Sequence, residues 1–179
     1  QPGDSLSIIP ENEWASVENI LAITGLQKEQ KFSYRNEEKT AFELLKKKLN
    51  ISLLSSRVIK NYASLINTDI PAIKIGLLDL LKIFPLPSSG HFQELITILE
   101  PITPRLYSIS SSPEAHSGEV HITVARDQFL VNGGVQHGLC SNTLATWNVG
   151  TTIDFYIHRN EQFRLPPHHK DMIMIGPGT

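Results

Sequence analysis

The chain has 179 residues, 40% of them hydrophobic, and a formal net charge of −2. That length allows one large domain or two small ones, and the near-neutral balance argues against a nucleic-acid footprint. No apolar run reaches the length of a membrane span, no basic segment leads into an apolar secretory signal, and the single cysteine, Cys140, excludes an internal disulfide and fits a reducing compartment.

Both ends look cut. The opening Gln1-Pro2-Gly3-Asp4 is a turn signal that runs directly into apolar residues. The close, Met172 to Ile175 and then Gly176-Pro177-Gly178-Thr179, reads as a buried strand and a glycine-rich turn. The expectation is a fragment of a longer polypeptide.

Asp4 to Pro10 reads as a strand. The pattern then turns helical, with Trp14, Val17, Ile20 and Leu21 on one face and Gly25 as the stop. Phe32-Ser33-Tyr34 is a short extended piece. Thr40 and Glu43 fit a capping box for a helix that turns Phe42, Leu45 and Leu49 inward and Lys46 to Lys48 mostly to solvent. Val58, Ile59, Tyr62 and Leu65 predict another short helix. Ile73 to Ile83 predicts one of three turns, ending before Pro85 and Pro87. After a Ser88-Ser89-Gly90 connector comes a helix with Phe92, Leu95, Ile96 and Leu99 inward, stopped by Pro101.

From Thr103 the period becomes two. Arg105 to Ser110 is a predicted strand, Ser111 to Gly118 a polar turn, and Glu119 to Phe129 a long strand. Asn132-Gly133-Gly134 is a turn, Ser141 to Trp147 a short helix, Thr151 to Ile157 a strand, and Pro166-Pro167 an exit linker. No repeat or low-complexity tract interrupts this order.

Two tetrapeptides carry chemistry. Arg105-Leu106-Tyr107-Ser108 places a cation, an aromatic plate and a hydroxyl together. Alternation along a strand puts Arg105 and Tyr107 on one side, where a guanidinium can grip phosphate and a ring can stack on a heterocycle. The second is Gly138-Leu139-Cys140-Ser141. Gly138 permits close backbone approach, and the helix that follows offers free N–H groups and a positive dipole end to an anion. Each alone fits an ordinary strand or an ordinary serine cap; together they form a plausible pyrophosphate clamp.

Arg105-Leu106-Tyr107-Ser108, Val120-His121-Ile122-Thr123-Val124, Gly138 to Ser141, Phe163-Arg164-Leu165-Pro166 and the terminal Gly176-Pro177-Gly178-Thr179 follow one another in a familiar order. In this ordered set, over nearly its whole length, the chain resembles the diflavin reductases, most nearly their sulfite-reducing branch. The resemblance implies an α+β fold: an antiparallel β-barrel FAD-binding domain from residues 1–10 and 101–170, lacking its first strands. A mostly helical connecting insertion spans 11–100, and 171–179 begins a truncated NADPH-binding domain. It also implies roles. Arg105 neutralises the FAD pyrophosphate, Leu106 accompanies it, Tyr107 stacks on the isoalloxazine, and Ser108 is the catalytic residue beside the reacting flavin nitrogen. Thr123, Val124 and Ala125 run along the flavin through their main chain. Gly138, Leu139, Cys140 and Ser141 hold the pyrophosphate. Phe129 stands where relatives carry a tyrosine, keeping the ring and losing the hydroxyl. Ser52 matches a threonine near the cofactor.

The cofactors implied are FAD here, with NADPH and FMN on segments outside this chain. The partners implied are the FMN-binding and NADPH-binding domains and a metalloprotein electron acceptor such as a sulfite reductase haem subunit, with no nucleic acid and no membrane, in the cytoplasm. Alone, the chain is expected to hold FAD weakly, to self-associate through open strand edges, and not to take hydride from NADPH efficiently. Two alternatives stand beside this reading: a flavin-free β-barrel interaction module, and the FAD component of another ferredoxin-reductase-like enzyme. No metal site is expected. The adjacent His168 and His169 point apart in an extended segment, and no carboxylate or thiol completes a set. His121 and His158 read as strand residues, Trp14 and Trp147 as packing residues. Cys140 is either a small buried residue beside phosphate or a thiol activated by the helix start.

Overall fold

The computed structural model describes residues 3–131, 134–164, 166, 170–173 and 175. They pack as two units. One is drawn from the described parts of Gln1–Pro10, Thr103–Gln128 and Cys140–Thr179, the other from Glu11–Ile102 and Phe129–Leu139.

The first unit is built on β1 (Ser5–Ile8), which pairs antiparallel with β4 (Arg105–Ser108) on one side and β7 (Phe155–His158) on the other. A strand flanked on both edges can pair its backbone groups to either side, and Leu6, Ser7 and Ile8 are buried accordingly. Leu6 and Ile8 point to one face, where they meet Cys140 and the half-buried Tyr107, Ile109, Ile122, Leu144, Trp147 and Ile153. Cys140 belongs to α6 (Leu139–Thr146). The described strands of this unit form a three-stranded antiparallel sheet.

The entry to β1 is fixed by a buried carboxylate. Asp4 accepts the Asn160 N–H at 3.1 Å and the Arg164 Nη1 at 2.8 Å. Beside it Gly3 has a φ of +91°, and a Cβ there would lie 1.9 Å from the Phe163 carbonyl oxygen. The opening turn and the Phe163-Arg164 segment, far apart in sequence, are therefore one contact.

The second unit has its own large core. α1 (Trp14–Thr24) buries Val17, Ile20 and Leu21 and ends at Gly25 in the left-handed conformation. β2 (Lys31–Tyr34) and β3 (Glu37–Thr40) form a hairpin across Arg35 and Asn36, both at positive φ. α2 (Ala41–Glu43) opens with the Thr40–Glu43 capping box and continues as a π-turn over Leu44–Lys48, closed by Leu49 N–H to the Leu44 carbonyl at 2.9 Å. α3 (Ser56–Leu65), α4 (Leu77–Ile83) and α5 (Phe92–Ile98) complete the helical part. β5 (Gln128–Val131) and β6 (Gly134–His137) pair with each other.

Several sequence expectations change. Glu119 to Phe129 is not one long strand. Only Ile122 bridges, to Ile109, and the Asp127 N–H is taken by the Ser141 hydroxyl before β5 begins. The helix expected from Ile73 starts at Leu77, because Gly76 serves as N-cap and the Ile75 carbonyl accepts from Leu54 N–H instead. β3 has no apolar residue to announce it. Trp14 is 56% exposed, although it meets Phe42 edge-on at 4.9 Å. Lys46 is not part of a solvated face: it donates to the Asn12 carbonyl and pairs with Glu11 at 3.3 Å. The terminal Gly176–Thr179 loop, His168 and His169 lie outside the described residues.

Two outcomes follow. Asn12 is buried, and its Nδ2 donates to the Leu45 and Leu49 carbonyls at 2.6 and 2.7 Å. Asn12→Ala leaves both acceptors bare and is expected to lower unfolding free energy by about 1–3 kcal/mol, read from chemical denaturation. Asp4 has its pKa lowered from 3.8 to about 2, first by the Asn160 N–H and further by Arg164, against the opposing effect of burial. A depressed carboxyl pKa contributes stability above the unfolded value and loses it as pH falls through the folded one. Asp4→Asn should therefore be less stable than the parent at neutral pH, with the gap closing between about pH 4 and about pH 2. A gap of constant size down to pH 2 would remove the carboxylate from this role.

Candidate functional site

β4 and α6 come together in the first unit, where the half-buried Tyr107 packs against the cluster of Leu6, Ile8 and Cys140. Tyr107 sits opposite Leu6 on β1, and Arg105 opposite Ile8. Alternation places Arg105 and Tyr107 on one face of the strand. The charge of Arg105 reaches both Tyr107 and Cys140. Arg105 itself is exposed and makes no ion pair among the described residues. Its guanidinium is thus an uncommitted cation beside the first turn of a helix.

Electrostatics follow from burial. Burial first, and the Cys140 contact second, push the Tyr107 phenol far above its ordinary range. Burial also raises the Cys140 thiol, against the opposing pull of Tyr107 and Arg105. Cys140 is 4% exposed. A buried thiol with a raised pKa stays protonated at neutral pH, so the option of an activated nucleophile is overturned.

A second connection joins the segment before β5 to α6. The Ser141 hydroxyl accepts the Asp127 N–H at 3.1 Å, and Arg126 reaches Asn142 Oδ1 through Nη2 at 2.7 Å and Nε at 3.1 Å. Thr123 and Ala125 are exposed and Val124 half-buried just ahead of this junction. The structure thus brings Arg105, Leu106, Tyr107 and Ser108 on β4, the end of the 123–127 segment, and Cys140 and Ser141 into one unit. Leu106 and Ser108 are exposed, and Ser108 faces Ser5 across the sheet. Gly138 and Leu139 are half-buried and lead into Cys140.

Phe129 and Ser52 fall in the helical unit. Phe129 is exposed on β5. Ser52 donates to Asn12 Oδ1 at 3.5 Å, and its N–H bonds Asn50 Oδ1 at 3.2 Å. Sequence reasoning missed Arg126 and Asn142. Their only advance signal was a lone cation after an apolar stretch and an asparagine in the first turn of a helix, and neither is specific.

A guanidinium, a helix start and a packed aromatic ring are groups that suit a large anionic heterocycle. The model of the family described as the FAD binding domain matches residues 46–143. The chain is 33% identical over 192 residues to the flavoprotein alpha-component of NADPH sulfite reductase from Yersinia enterocolitica, covering all of this chain and 32% of that protein. It is 32% identical to the same component from Yersinia pestis, with the same coverage. The Buchnera aphidicola counterpart is 33% identical, over 99% of this chain and 32% of that protein. The chain thus spans about a third of the length of these relatives. With more than half its residues under one family model, clamp residues included, the chain belongs to the FAD-binding domain family.

Proposed function

We propose that this chain is the FAD-binding part of an NADPH-dependent diflavin oxidoreductase, passing electrons from NADPH through FAD to FMN and on to a metalloprotein acceptor, a sulfite reductase haem subunit. The observation that carries this reading is the junction of β4 and α6 at Tyr107 and Cys140, with the uncommitted Arg105 beside it. The names of the sulfite reductase relatives support the choice of electron acceptor.

In this reading residues 1–10 and 101–170 belong to a flavin-binding β-barrel, of which the antiparallel sheet is a part. Residues 11–100 are the connecting insertion, and 171–179 lead into an NADPH-binding domain. The FMN-binding and NADPH-binding domains are the working partners. No helix among the described residues is long and apolar enough to cross a membrane, and the cytoplasm is the compartment assigned.

When bound, FAD supplies the hydride-accepting and single-electron chemistry. The chain's own residues bind and orient. Arg105 and the start of α6 at Cys140 and Ser141 are assigned to the pyrophosphate, the guanidinium for a two-pronged bond and the helix end for its charge. Tyr107 offers a ring whose place is set by packing against the cluster of Leu6, Ile8 and Cys140. The main chain of Thr123, Val124 and Ala125 reads the polar edge of the ring. Leu106 would line the site beside the ring, and Ser108 is assigned to the reacting edge. Arg126, held by Asn142, steadies the segment that carries Thr123 to Ala125.

FAD titration with a flavin-fluorescence readout tests the reading, on the chain itself and on a form extended at both ends. One FAD per chain is expected in the extended form, and no binding in either form would leave a flavin-free module. Arg105→Ala is expected to weaken FAD binding by about 1.5–3 kcal/mol, the range for a hydrogen bond to a charged group. Tyr107→Ala should cost about 0.5–1.5 kcal/mol through the lost ring contact, while Tyr107→Phe keeps most of the affinity. Equal losses in the two Tyr107 variants would shift the role from the ring to the hydroxyl.

A further inference from the structure

The connection between β4 and the 123–125 segment carries a cluster that neither the flavin reading nor the family accounts for. His116, Glu119 and His121 each present one ligand atom, and these atoms all lie within 4.8 Å of one another. The local backbone explains why. Glu119 N–H bonds the His116 carbonyl at 3.2 Å, closing a turn whose third residue, Gly118, has a φ of +79°. That is a conformation glycine adopts without strain. The turn brings the first and fourth side chains together. Beyond it the chain is extended, so Glu119 and His121, two apart, share a face.

The last ligand is held at both backbone groups. His121 N–H bonds the Ser111 hydroxyl at 3.0 Å, and its carbonyl accepts from Ser110 N–H at 2.9 Å and the Ser110 hydroxyl at 3.0 Å. Glu119 Oε2 lies 2.9 Å from His121 Nε2 and 4.0 Å from His116 Nδ1. The two imidazole rings are 4.3 Å apart, tilted by 48°. Nitrogen and oxygen ligands at about 2.0–2.2 Å from one ion stand roughly 3–4 Å from each other; the separations of 2.9 and 4.0 Å from Glu119 bracket that range, and the third lies within 4.8 Å.

We infer that His116, Glu119 and His121 form a binding site for a divalent transition-metal ion of the zinc class. Two imidazoles and one carboxylate suit zinc, copper or nickel. Magnesium and calcium require a shell of oxygens, and this cluster offers one carboxylate. The ligand side chains are 45%, 65% and 46% exposed in chain order, which leaves an entry path and room for water in the remaining positions. The ion would fasten the loop between Ser108 and Thr123, two positions assigned to the flavin.

Calorimetric titration of the tag-free full chain with zinc chloride, and separately with magnesium chloride, tests the site. One zinc per chain is expected, with no magnesium heat. His116→Ala combined with His121→Ala should weaken zinc binding at least tenfold, with an unchanged far-UV circular dichroism spectrum showing that the fold is kept. His168→Ala combined with His169→Ala should leave zinc binding intact. A copper-loaded sample should show nitrogen coupling in its electron paramagnetic resonance spectrum that the His116/His121 variant lacks. Absent zinc binding, or zinc affinity unchanged in that variant, overturns the assignment.

Discussion

The packing of Tyr107 against the cluster that holds Cys140 is the contact on which the site depends. It ties a strand to the first turn of a helix whose sequence position is more than thirty residues later. Cys140 is 4% exposed and Tyr107 half-buried, and close packing leaves such a ring few other positions. That sets the ring beside the helix start, with Arg105 on the same face of the strand. Pre-organisation of this kind lowers the ordering cost of binding a large flat anion.

The parts of the fold legible in sequence are those where one residue type has one physical reason to be there. Gly25 ends α1 in the left-handed region, and Thr40 with Glu43 closes a capping box with both reciprocal bonds present. The alternation of Val120, Ile122 and Val124 misled, because periodicity reports which side chains could share a face, not whether a neighbouring strand is there to accept the ladder. Only Ile122 finds such a neighbour. β3 was invisible for the opposite reason: Glu37, Glu38, Lys39 and Thr40 carry no apolar stripe, and the hairpin rests on its Arg35-Asn36 turn and on Phe32 from the partner strand. Ile73 to Gly76 reads as helix by composition, yet tertiary bonds to Ile51 and Leu54 hold that stretch extended.

The candidate site divides the same way. Arg105, Tyr107 and the Gly138 to Ser141 turn were legible because cation, plate and helix start each have a direct relation to an anion. Arg126 and Asn142 were not, since their work is to hold another segment, and such support is specified by three-dimensional proximity alone. The same holds for His116, Glu119 and His121. Their spacing makes sense only once the Gly118 turn folds the chain back. Phe129 and Ser52, carried by likeness to a family, rest in the helical unit, where local bonds already explain Ser52.

That helical unit raises a physical question: how can some ninety residues be inserted between two strands of one sheet without disturbing their register? Loop-closure entropy grows only with the logarithm of length, so a long insertion is tolerated if its ends are brought together. Here both ends seize the same strip of chain. Asn12 bonds the Leu45, Lys46 and Leu49 carbonyls near the start of the insertion, and at its close Ile102 N–H bonds the Lys48 carbonyl while Asn50 N–H bonds Glu100. The Leu45, Lys46, Lys48 and Leu49 carbonyls belong to the last turn and C-cap of the helix that ends at Lys48, where C=O groups have no partner within the helix and are open to such bonds. The insertion thus closes on itself through its own core, with both of its ends pinned to the strip 44–50. A change at Asn12 loosens that closure at its base.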